Sequence, residues 1–77
     1  MGDCVFGNAR KLAVSSHESA EAVVTASLAR CFETERAFEA AWQVLFSQAG
    51  VASRMREASV RPLATDLVVT IRARRGL

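Results

Sequence analysis

Residues 67–74, Leu67-Val68-Val69-Thr70-Ile71-Arg72-Ala73-Arg74, decide between two fold classes. They alternate. Leu67, Val69, Ile71 and Ala73 point one way, and Val68, Thr70, Arg72 and Arg74 the other. A period of two built from Val, Thr and Ile is a strand signal. Pro62 supports a boundary just ahead of it, because the residue before a proline avoids helical angles. A strand needs a ladder partner for its backbone groups. The candidates are a short N-terminal strand at Leu12–Val14 or the same strand of a second copy.

Working back from this segment, the chain reads as helix. Ser15-Ser16-His17-Glu18 has capping-box spacing, with Ser15 at the start and Glu18 reaching back. Val24, Leu28, Cys31, Phe38, Trp42, Leu45 and Ala49 then recur at steps of three and four, with Glu35 in the one missing place. Helical geometry puts them on one face, widened by Phe32 and Phe46. The other side shows Ala22, Ala26, Ala29, Ala37 and Ala40, small enough for another element to approach closely. Alanine is also simply the best helix former. Glu33-Thr34-Glu35-Arg36 interrupts the pattern, so a bend is expected near Phe32–Glu35, with Thr34 able to cap a second helix. Gly50 is a helix stop. Residues 51–60 read as a short third helix with Val51, Met55 and Ala58 inward. Residues 1–11 show no period, and Gly2, Gly7 and Asn8 are turn formers.

The expected fold is therefore α+β. It is one small, mostly helical domain over residues 1–77, a helical hairpin or bent long helix with a short third helix. One C-terminal strand pairs with a short N-terminal strand or a second copy.

The chain has 77 residues, 51% of them hydrophobic and 23% charged, the balance of a globular domain. Charge is uneven. Residues 1–39 hold four basic and six acidic groups, and residues 40–77 hold six basic and two acidic. Ala40–Ser53 carries no charge, yet it holds Trp42, Val44, Leu45, Phe46 and Val51. So small a domain cannot hide apolar groups on every side of a helix. A second copy or a larger partner is expected to cover part of that surface. The segment is shorter than the ~20 residues of a membrane span, so no membrane partner is expected.

Cys4 and Cys31 stand far apart, no CxxC occurs and His17 is the only histidine. No metal site follows from such a set. Without a signal-peptide pattern, both cysteines read as thiols in a cytoplasmic setting, with Cys31 a small core residue.

Catalytic chemistry finds no support. The serines lack a nucleophile motif. Glu35 and Glu39 share a helical face, as a carboxylate pair or as acidic residues favoured in a helix's first turns. No cofactor is implied. Around Gly50 the chain resembles a helix-turn-helix, with Arg54 and Arg56 on a second helix and Arg61 just beyond. Arg56 stands where that motif wants an apolar docking residue, and Phe46 where it wants alanine. Arg72, Arg74 and Arg75 form a basic cluster that protects a strand edge or meets phosphate or carboxylate.

Two functional expectations result. One is a non-catalytic protein–protein interaction or regulatory module, of the accessory-subunit, assembly-factor or inhibitor type. Its interface would be Phe38, Trp42, Leu45, Phe46 and Val51. The other is a small nucleic-acid-binding regulator using Arg54, Arg56, Arg61, Arg72 and Arg74.

Overall fold

The computed structural model describes residues 1–76, and they contain no strand. The elements are α1 (Gly2–Ser15), α2 (Ala20–Arg30), α3 (Phe32–Phe46), α4 (Val51–Met55), a π-helical turn (Arg56–Val60) and α5 (Arg61–Arg75). The last three follow without a gap as one rod over 51–75.

The predicted C-terminal strand is helix, so the fold is all-α and the α+β expectation is corrected. The reason lies in which residues the segment buries. Val60, Ala64 and Val68 are buried, and Leu67 and Ile71 are half-buried; Val69 is 53% exposed. That is a spacing of four, the period of a helix packed on one side. An eight-residue window beginning at Leu67 hides it, because Val60 and Ala64 lie outside. Pro62 does not end the helix either. It occupies the first turn of α5, directly after the π-turn, where the Arg61 N–H bonds to the Arg56 carbonyl five residues back. A proline lacks the N–H of a regular ladder, and the wider turn before it takes up that disruption.

The N-terminal segment is also helix rather than turn and strand. Val5, Ala9 and Ala13 are fully buried at a spacing of four. Gly2, Gly7 and Asn8 lower helix propensity, but packing outweighs it, and the Asn8 amide donates to the Cys4 carbonyl at 2.9 Å. The helix start predicted at Ser15 falls at Ser19, whose hydroxyl accepts the Ala22 N–H at 3.1 Å. Ser15 ends α1, and its hydroxyl donates to Lys11 O.

α1 and α2 form an antiparallel hairpin about the turn at residues 16–19. α5 runs alongside both and completes a three-helix bundle. Its core is built from small side chains, chiefly Val5, Ala9, Ala13, Val23, Val24, Val60, Ala64 and Val68. Ser27 is its one buried polar residue among the described residues, and its hydroxyl donates to Val23 O at 2.8 Å. The hairpin brings the end of α2 back to the start of α1, and there Cys4 and Cys31 are joined in a disulfide. The expectation of two thiols is thereby corrected; the buried position of Cys31, 1% exposed, agrees with its reading as a core residue.

Arg72 ties the far end of the bundle together. Its guanidinium donates to Ala13 O at 3.0 Å and Ser16 O at 2.9 Å, at the C-terminus of α1. Those carbonyls have no helical donor, and a cation favours the helix's negative end. Arg72→Gln should lower stability by about 1–2 kcal/mol, and Arg74→Gln by under about 0.5 kcal/mol. Paired urea melts read both.

Candidate functional site

The chain bends at Cys31 (φ −100, ψ 18), just ahead of the interval the sequence marks. α3 then leaves the bundle and continues outward, returning through residues 47–50 into the rod. Its C-cap is Ser47, in left-handed geometry at φ 54, a place glycine usually takes. Gly50, at φ 76, serves instead as N-cap of α4, and a Cβ there would meet the Arg54 guanidinium at 3.3 Å.

The result is an arm. The molecule measures 46 × 19 × 16 Å, with a radius of gyration of 13.4 Å. A compact chain of this length would have about 11.5 Å. Its accessible surface of 5001 Å² exceeds the roughly 4,600 Å² of a compact chain of this mass.

Two carboxylates fix the arm. Glu35 receives the Arg56 guanidinium at 3.0 and 3.1 Å. Glu39 accepts the Gly50 N–H at 2.7 Å and the Ala52 N–H at 3.0 Å, so it caps α4 from across the turn. These N–H groups, Ala52 first, hold the Glu39 carboxyl below its ordinary value, helped by the Gln43 amide. A lowered folded-state value means that Glu39 stabilises the arm above the ordinary carboxylate range. That contribution disappears as pH falls through the folded value. Glu39→Gln should therefore destabilise the protein at neutral pH, with the difference from wild type shrinking in acid. Thermal melts at neutral and acidic pH check this. An equal deficit at both would show that the charge plays no part.

Beneath this clamp Val51 and Ala52 are buried, 7% and 3% exposed. Of the predicted interface residues, Val51 thus packs inside the arm. Phe38 and Trp42 are half-buried, and Leu45 and Phe46 are 71% and 57% exposed. Phe38, Trp42 and Phe46 form a ladder one turn apart, with ring centroids at 6.2 and 4.7 Å. α3 as a whole contains no buried residue. Val44 is its most open large side chain at 82%, and Phe32 stands 52% exposed beneath the Arg36 guanidinium. The sequence-level interface omitted Val44. The missed signal is its position two turns along from Ala37 on an uncharged flank shared with Ala41.

The predicted basic contacts do not form one surface. Arg56 is held by Glu35 and also lies 3.3 Å from Glu57. Arg61 contacts Glu57 at 2.7 Å and Thr25 at 3.3 Å. Arg72 is occupied at the end of α1. Arg54 donates to Ala49 O at 3.3 Å, and Arg74 is exposed. On a continuous rod Arg54 and Arg72 stand about 27 Å apart.

Among the described residues no cluster of His, Cys, Asp and Glu has a metal-binding arrangement, and no helix is long and apolar enough to cross a membrane. No protein-family model matches this chain, and no curated protein or solved structure gives a significant match to it.

Proposed function

We propose that this chain is a non-catalytic protein–protein interaction module and that α3 is its docking element. The supporting observation is the division of its apolar side chains. The bundle core uses valine and alanine, while Phe32, Val44, Leu45 and Phe46 stand on α3, which buries none of its own residues. Large apolar groups gathered on one exposed element mark interaction sites, and aromatic side chains are enriched at them. The arm is held in place by the Glu35–Arg56 pair and the Glu39 cap, so a partner meets a preformed surface. An accessory-subunit, assembly or inhibitor role is consistent with such a surface. The Cys4–Cys31 bond supports a compartment in which disulfides persist rather than the cytoplasm.

A photo-crosslinking residue placed at position 45 tests this reading inside the producing cell, with position 21 on α2 as control. A discrete protein adduct from position 45 alone is expected. Equal or absent adducts at both positions would refute it.

A further inference from the structure

We infer that the Cys4–Cys31 bond is a thiol-exchangeable lock on the pivot of α3, opened by a dithiol at Cys4 Sγ while the Asn8 amide donates to the departing Cys31 sulfur. This holds whatever docks on α3.

Cys31 is the residue between α2 and α3 that belongs to neither helix. Its N–H bonds back to Ser27 O at 3.2 Å and Leu28 O at 3.1 Å, and its carbonyl accepts the Glu35 N–H at 3.0 Å. It therefore ends one helix and starts the next. The bond to Cys4 fastens this junction to the first turn of α1.

The two sulfurs are not equivalent. A thiolate attacks a disulfide sulfur in line with the S–S bond, from the side away from the leaving sulfur, so access decides which sulfur reacts. Cys31 is 1% exposed and belongs to the bundle core, which closes that approach. Cys4 is only partly buried, at the edge of the core, and can be reached from outside.

Asn8 completes the asymmetry. Its amide nitrogen donates to Cys4 O at 2.9 Å, which anchors it, and stands 3.6 Å from Cys31 Sγ and 3.8 Å from Cys4 Sγ. A neutral sulfur is a weak acceptor, and hydrogen bonds to an ionised group are stronger. The amide therefore gains most as the bond breaks.

In the opening, one thiolate of the dithiol bonds to Cys4 Sγ, and the S–S electron pair leaves on Cys31 Sγ. The second thiolate of the reagent then attacks its own sulfur in the mixed disulfide. The reagent closes to a disulfide, and Cys4 departs as a thiolate in the first turn of α1, where free N–H groups favour negative charge. The chain gains two electrons and, from the two thiols, two protons; the dithiol is oxidised.

The test uses the oxidised full chain under native conditions with reduced glutathione, a monothiol that leaves a mixed disulfide to be trapped. Early samples are quenched in acid, alkylated and digested with trypsin, which puts Cys4 in peptide 1–10 and Cys31 in peptide 31–36. Cys4 should carry at least about ten-fold more glutathione than Cys31. Reduction by dithiothreitol should be about five-fold slower in Asn8→Ala, although the smaller side chain opens access and by itself would speed it. In Cys4→Ser the Cys31 amide should exchange at least about ten-fold faster than in the oxidised wild type.

Glutathione shared evenly between the two cysteines, or gathered on Cys31, would overturn the inference, as would opening of Asn8→Ala at or above the wild-type rate. Unchanged exchange at the Cys31 amide would show that the bond fastens nothing at the pivot and would overturn it equally.

Discussion

Val68→Asp should unfold the protein or cost about 4 kcal/mol, and Val69→Asp should cost less than about 0.5 kcal/mol. Val68 is fully buried in the core that α5 shares with α1 and α2, and its neighbour is 53% exposed. An unpaired carboxylate in an apolar interior belongs to the few changes that large, while an exposed site is nearly neutral. The pair separates the two fold readings. In a strand of the predicted register Val69 faces inward and Val68 outward, so the order of the two costs reverses. Urea midpoints measured at matched concentration give the order directly.

Opening the Cys4–Cys31 bond should be the second large effect. It closes a loop of 27 residues, and freeing a loop of that size in the unfolded chain corresponds to about 3.5 kcal/mol. Small domains hold only a few kcal/mol from their cores, and this core is made of valine and alanine. Cys4→Ser, or reductant on the wild type, should therefore shift the melt strongly downward. The bundle loses its tie between α1 and the bend at Cys31, where α3 departs. A melt that reductant leaves unmoved would show that the helices hold without it.

The sequence was most readable between Ala20 and Phe46. There the apolar steps of three and four fail only at Glu35, and the polar interruption at Glu33–Arg36 starts two residues past the actual bend at Cys31. It misled where short windows imitate another period. Leu67–Arg74 alternates perfectly, and only Val60 and Ala64 upstream reveal a spacing of four. α1 stayed hidden because its buried positions are Val5, Ala9 and Ala13, two of them alanines, among glycines that suggest turns. Without α1, Cys4 had no place next to Cys31, and Arg72 had no helix end to meet. Glu35 and Glu39 were correctly seen to share a face. Their roles depend on Arg56, Gly50 and Ala52 across the turn, which no local pattern shows. The uncharged segment from Ala40 to Ser53 spans the outer part of α3 and the turn into the rod, and its apolar residues divide: Val51 is buried and Leu45 and Phe46 are exposed.

Underlying all of this is one division, a small-residue bundle that holds the fold and an aromatic arm that does not. Amide hydrogen exchange on the dilute, oxidised protein reads it most directly. Amides of α1, α2 and α5 should exchange slowly through global opening, including those of residues 67–74, and α3 amides should exchange much faster through local opening. Protection of α3 equal to that of α1 under dilute conditions, or rapid exchange across residues 67–74, would contradict it.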